Sequence, residues 1–122
     1  MNYFYYILLA LVFFFYGSCF GQVSVIHFNS EWNEDNNFDI SVLKECEVSD
    51  VVICHNAELQ DKHKIKSVPT VIVFDEGIEI ARFEANIMMQ LEATKKDIQK
   101  EIDKIYLAKF EWDYQKIFYY QS

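Results

Sequence analysis

The chain has 122 residues, 52% of them hydrophobic, and a net charge of −8 from nineteen acids against eleven bases. That length holds one domain with one core, not two. The acid excess repels phosphate backbones and argues against a nucleic-acid binder; its plainest role is solubility. The charge is uneven: residues 23–60 hold eight acids against Lys44 alone, whereas residues 61–122 hold eleven acids against ten bases.

The first 21 residues carry no charged side chain. Tyr3 to Tyr16 (YFYYILLALVFFFY) is almost wholly apolar, short for a membrane span and suited to a signal-peptide core. Gly17, Ser18 and Gly21 follow, and cleavage after Gly21 would leave Gln22 first. No Lys or Arg precedes the apolar run, so charge sets no orientation. Three outcomes stay open: a cleaved signal, a retained anchor, or a lipoprotein signal ending at Cys19. The last lacks the aliphatic residue usual three places before the cysteine. A buried core helix is a poor alternative, because so small a domain cannot cover a helix apolar on every side. The expectation is an exported protein, whether periplasmic, secreted or membrane-anchored.

Val23 to Phe28 (VSVIHF) is β-branched and aromatic and predicts a strand. Asn33 to Cys46 predicts a helix, with acids in its first turn and Phe38, Val42 and Cys46 on one apolar face. Asp50 to Cys54 (DVVIC) predicts a buried strand, and Ala57 to Lys64 a short polar helix anchored by Leu59. Thr70 to Phe74 and Ile78 to Phe83 predict a hairpin about the turn Asp75-Glu76-Gly77. Thr94 caps the last helix, with Asp97 completing a capping-box-like pair and Ile98, Ile102 and Ile105 repeating on one face. Strands separated by crossovers imply parallel pairing, and the late hairpin adds an antiparallel pair, giving a mixed α/β sheet. Tyr106 to Tyr120 holds seven aromatics. Some extend the last helix and pack on the domain, or together they form a sticky tail for a partner or membrane surface.

Two stretches carry a family resemblance. Ser67-Val68-Pro69-Thr70-Val71-Ile72-Val73-Phe74-Asp75-Glu76-Gly77 contains the only proline of the chain, between a loop and a strand. Val25-Ile26-His27-Phe28-Asn29-Ser30-Glu31-Trp32 ends a strand and delivers a tryptophan. Together they resemble the thioredoxin superfamily, in which a cis proline opens the third core strand and a Cys-x-x-Cys motif follows such a tryptophan. The resemblance covers roughly residues 23 to 105 and implies a thioredoxin-like fold, a central mixed sheet flanked by helices. It divides the chain into a signal or anchor (1–21), the domain (22–105) and an aromatic extension (106–122).

After Trp32 the chain reads Asn33-Glu34-Asp35-Asn36, so asparagine holds both redox positions. Thiol chemistry needs a thiolate at a helix N-terminus, and an amide supplies neither a labile proton nor a nucleophile. Asn33 suits an N-cap instead. His27 stands where active members place a buried acid, and the stretch between Trp32 and Pro69 is shorter than in typical thioredoxins. No catalytic residue is therefore assigned. Cys46 and Cys54 form no Cys-x-x-Cys; four strand residues span about 13 Å, beyond the roughly 7 Å Cα separation of a disulfide. Both suit small buried hydrophobes. Cys54, His55 and His63 match no common zinc spacing, His55 and His63 suit solvated positions, and no metal or cofactor is expected.

What the resemblance leaves is its peptide-binding side. It implies that an extended client or partner polypeptide pairs with Val68, with Trp32 and Pro69 as an apolar lip and Asn33 beside them. The acids Glu31, Glu34, Asp35 and Asp39 would favour basic segments. The alternatives are a thiol–disulfide oxidoreductase using Cys46 or Cys54, and a structural subunit docked through its aromatic tail.

Overall fold

The structure, a computed structural model, describes residues 2–17 and 22–121. The cleavage expected after Gly21, and Cys19, lie outside the described residues. Helix α1 (Asn2–Gly17) opens the chain, and its side chains from Tyr3 to Ala10 are exposed. Sixteen residues rise about 24 Å, less than a hydrocarbon core of about 30 Å. Among the described residues no helix is long and apolar enough to cross a membrane.

Four strands follow: β1 (Val23–Asn29), β2 (Glu47–Val52), β3 (Thr70–Asp75) and β4 (Ile78–Glu84). They form one mixed sheet in the order β2-β1-β3-β4. β1 pairs parallel with β2 and antiparallel with β3, and β3 pairs antiparallel with β4. The hairpin turn places Glu76 and Gly77 at φ of 53° and 81°, the left-handed pair that matches the twist of flanking strands.

Both faces of the sheet are covered, and β3 reads as an unbroken apolar run between Thr70 and Asp75, whereas Ser24, His27 and Asn29 interrupt β1. Val23, Val25, Val71 and Val73 point to one face, packing with Ile98, Ile102 and Ile105 of helix α3 (Lys95–Gln121). Phe28, Ile72 and Phe74 point to the other, packing with Ile65 and Val68. The short helix α2 (Ala57–Lys62) precedes that second layer. Leu59 is only half-buried, and Ile65 beyond the helix is the buried anchor. The α3 cap forms as expected: the Thr94 N–H donates to Asp97 Oδ2 at 2.8 Å, and the Asp97 N–H donates to Thr94 Oγ1 at 3.2 Å. The same helix runs on through the aromatic stretch to Gln121.

The predicted helix over residues 33–46 does not form. A 3-10 helix spans Glu31–Asn36, and the chain then crosses irregularly to β2. The segment holds three Asn and two Asp, whose side chains compete with the backbone for hydrogen bonds and oppose helix. Asn37 turns extended (φ −58°, ψ 140°), and Asp39 accepts from both the N–H and the hydroxyl of Ser41, a local turn. Ile40 and Leu43 are buried in this crossover, whereas Val42 is exposed and Phe38 and Cys46 are half-buried. β2 is likewise not the buried strand expected at 50–54: it starts at Glu47, lies at the sheet edge, and buries only part of Val51. Cys54 sits in a 3-10 turn (Ile53–His55) after it.

Replacing Ile40 with alanine should cost about 2–4 kcal/mol, and Val42→Ala no more than about 0.5 kcal/mol. Urea unfolding checks this; equal losses would contradict the irregular crossover.

Candidate functional site

Strand β1 ends in the buried Asn29, and the next residues turn sharply into the 3-10 helix. Ser30, not Asn33, is its N-cap, in an extended conformation and without a side-chain cap bond. Asn33 lies inside the turn with non-helical backbone (φ −112°, ψ 23°), and the residue is only 5% exposed. Its expected N-cap role is therefore replaced by another. Its Nδ2 faces Val68 O and Met89 O, each at 3.3 Å, and Asn29 Oδ1 at 3.2 Å. Two amide hydrogens thus serve three carbonyl oxygens from separate chain segments. Asn33 Oδ1 accepts from Asn36 Nδ2 at 2.8 Å. Asn29 Nδ2 donates to Asn33 O at 3.0 Å and to Asn37 Oδ1. Among the described residues no buried side-chain polar atom lacks a partner.

The Val68–Pro69 peptide is cis, and Pro69 is fully buried at the start of β3. Val68, itself buried, meets Asn33 through its carbonyl. Beside it opens a groove of about 500 Å³ walled by Trp32, Cys54, Val68, Ile87 and Met89. Trp32 is 65% exposed and Ile87 97% exposed, so two large apolar side chains stand at its edge. Of the four residues expected at a peptide site, Trp32 and Val68 line the groove, whereas Asn33 and Pro69 do not: Asn33 bonds the carbonyls of the lining residues Val68 and Met89, and Pro69 is buried next to Val68 in the chain. Sequence reasoning missed Ile87 and Met89, and it named Cys54 only as an alternative redox thiol, not as a neighbour of Val68. The only sequence signal for the first two was the apolar run Ile87-Met88-Met89 in a segment of no predicted structure. The Asn86 carboxamide holds that segment, accepting from the N–H groups of Met88 (2.9 Å) and Gln90 (3.1 Å).

The thiols differ. Cys46 and Cys54 are both free; Cys54 is exposed and Cys46 half-buried. Cys54 Sγ lies 3.0 Å from Ser30 Oγ. Hydrogen bonds from that hydroxyl and from the Glu31 backbone hold the Cys54 thiol below its usual range. Burial pushes the Cys46 thiol up. Cys54 is thus a groove residue rather than the small core hydrophobe expected.

The histidines disperse. His63 packs between the rings of Phe28 and Phe74, with centroids 5.4 and 5.3 Å away, instead of lying in solvent. Burial first, then the charges of Lys62 and Arg82, holds its imidazole below the ordinary value. His55 pairs with Glu31 at 2.6 Å, so one of the acids expected to attract basic segments is already engaged. Glu34 and Asp35 remain exposed on the 3-10 turn, and Lys66 enters the groove wall. Buried His27 bonds Asp50 Oδ1 through Nδ1 at 2.9 Å and accepts the Phe38 N–H on Nε2 at 3.3 Å. It ties the crossover to the edge strand. Among the described residues no three metal-ligating side chains converge.

No family model matches the chain, and no curated protein matches it by sequence. Solved structures do match by shape. Thioredoxin-2 of the malaria parasite, described as a component of that parasite's protein secretion machinery, superimposes with a TM-score of 0.56 at 22% identity, covering 69% of this chain and 84% of its own. Fasciola hepatica thioredoxin matches with a TM-score of 0.53 at 19% identity, over 79% of this chain and 92% of its own. Thioredoxin 1 of Thermosipho africanus matches with a TM-score of 0.53 at 18% identity, over 72% and 98%. The chain has the thioredoxin-like fold.

Asn33→Asp removes both donors and aims a carboxylate at carbonyl oxygens. Burial and those oxygens raise its folded pKa above the unfolded value of about 3.9, so the variant loses stability progressively as pH rises from about 4 through the folded pKa. Urea midpoints at pH 4 and pH 8, each against the parent, check this; a pH-independent difference would contradict the buried donor role. Separately, Cys54 should alkylate with iodoacetamide faster than Cys46 near neutral pH, and Ser30→Ala should slow it. Mass spectrometry of the labelled peptides reads the order.

Proposed function

We propose that this chain is a redox-inactive thioredoxin-like protein of the cell envelope that holds an extended polypeptide beside Pro69. One observation carries the reading: Asn33, at the first residue after Trp32, spends its amide on the Val68 and Met89 carbonyls. The position that would begin thiol chemistry is thus a brace, while the groove in front of it stays open between exposed apolar side chains. Val68 offers backbone at the mouth of that groove. An added strand would use it for main-chain hydrogen bonds and place side chains against Trp32 and Ile87. A carbonyl has two lone pairs, and Asn33 takes one of those on Val68, leaving the second for a client N–H.

The uncharged apolar segment before Gln22 supports export. Cleavage, retention and lipid attachment at Cys19 remain its three forms. The exposed Glu34 and Asp35 support a preference for basic client segments.

A second reading has its own observation. Cys54 is exposed, lines the groove and is held below its usual thiol range. As thiolate it could attack a client disulfide, forming a mixed disulfide and releasing the other client sulfur as a thiolate. That would make the protein a thiol–disulfide oxidoreductase working from the groove wall.

Titration of isotope-labelled chain with basic and acidic extended peptides should move the amide resonances of Val68, Trp32 and Ile87, more for the basic peptide. Silence at Val68 with both peptides ends the binding proposal. Insulin reduction should be absent; turnover abolished by Cys54→Ser would favour the second reading.

A further inference from the structure

Helix α3 carries two apolar stripes. Ile98, Ile102 and Ile105 face the sheet and are buried. Leu107, Phe110, Tyr114 and Ile117 recur at intervals of three, four and three and are each more than half exposed. At 100° per residue the second stripe lies about 140° around the helix from the first. The 3-4-3 interval is the a/d seam of a coiled coil, and a helix presenting such a seam is built to receive another helix. Phe110 and Tyr114 stack with centroids 6.4 Å apart, making one continuous apolar ridge. The stripe sits at the opposite end of the sheet from the groove: Lys109, on the sheet-facing side of the helix one turn beyond Ile105, bonds Asp75 at the end of β3, whereas Val68 and Pro69 precede its start.

We propose that this seam docks a basic amphipathic helix of a partner protein. Charge decides the occupant. Glu111 and Asp113 occupy the positions that flank the seam on its two sides, and neither forms an ion pair among the described residues. Of the neighbouring lysines, Lys104 pairs with Glu101 at 3.1 Å and Lys109 with Asp75 at 2.7 Å, whereas Lys116 is in no ion pair among the described residues but lies about 140° around the helix from the seam. A second copy fits poorly. Antiparallel pairing of Leu107 on Ile117 and Phe110 on Tyr114 sets Glu111 against Glu111 and Asp113 against Asp113. Parallel pairing sets Lys100 and Asp103, the preceding a and d positions, against themselves. An anionic membrane surface meets the same acidic borders. A helix with Lys or Arg at its flanking positions meets apolar with apolar and acid with base. This surface is independent of the groove and stands or falls apart from the peptide-binding proposal.

The test uses the full chain and two synthetic helices of three heptads, both with leucine at a and d, one with lysine and one with glutamate at e and g. The lysine helix should bind about tenfold or more tightly than the glutamate helix at low salt. Glu111→Lys combined with Asp113→Lys should reverse the order. Phe110→Ser and Ile117→Ser should abolish binding with the far-ultraviolet circular dichroism unchanged, and Trp32→Ala should leave it intact. Equal binding of the two helices, or none, overturns the proposal. So does a dimer in sedimentation that Ile117→Ser dissociates, which would make the occupant a second copy. Capture by phosphatidylcholine vesicles that Phe110→Ser abolishes would overturn it in favour of a lipid surface.

Discussion

The corner of this molecule depends on one buried amide. Asn33 joins the turn after β1, the residue before Pro69 and the loop at Met89 through hydrogen bonds of 3.2 to 3.3 Å to three carbonyls. Those segments are far apart in sequence and belong to no common helix or strand. Val68 is buried, so leaving its carbonyl without this donor would cost more than a typical hydrogen bond returns. A thiol is a weak donor with a single hydrogen and could not serve three acceptors. Bracing the corner and running thiol chemistry there are therefore competing uses of one position, and this chain has an amide in it.

The sheet explains why the corner is available. With apolar layers on both faces, β1 and β3 are rigid central strands, and their ends fix where the turn at Ser30 and the loop at Val68 meet. Short irregular segments then supply the groove: the 3-10 turn carrying Trp32, the turn carrying Cys54, and the loop carrying Ile87 and Met89. This is the common arrangement of binding residues on loops held by a stiff scaffold. The rigid sheet also separates two surfaces. The groove opens at one end, and the exposed ridge of α3 extends from the other.

Several elements were legible in the sequence because their signals are local. Thr94 and Asp97 lie three residues apart and cap each other. Glu76-Gly77 satisfies its own turn, and Ile98, Ile102 and Ile105 declare a helix face by spacing alone. The crossover from 33 to 46 was misread because acids in a first turn and apolar residues four apart look helical. Yet Asn29, Asn33 and Asn37 bond one another across the turn and draw the chain out of helix. The position of β2 at the edge was equally hidden, since an apolar run such as VVIC reads the same at the centre of a sheet. His63 was misplaced because its aromatic neighbours, Phe28 and Phe74, come from two distant strands. The ridge of α3 does not show in its aromatics alone: it becomes regular only when Leu107 and Ile117 are included.

By itself the sequence determined four strands in chain order, the cap and apolar face of the last helix, and asparagine rather than cysteine at positions 33 and 36. Each of these is written in residue type, or in spacing along a few turns of chain. Tertiary structure alone decided that Asn33 is a cross-brace rather than a cap, that Cys54 and Ile87 share a groove with Val68, and that β2 is an edge. The reason is physical. A hydrogen-bond donor takes whichever acceptor the fold brings within 3.3 Å, and which segments meet at a corner is set by packing on the sheet, not by distance along the chain.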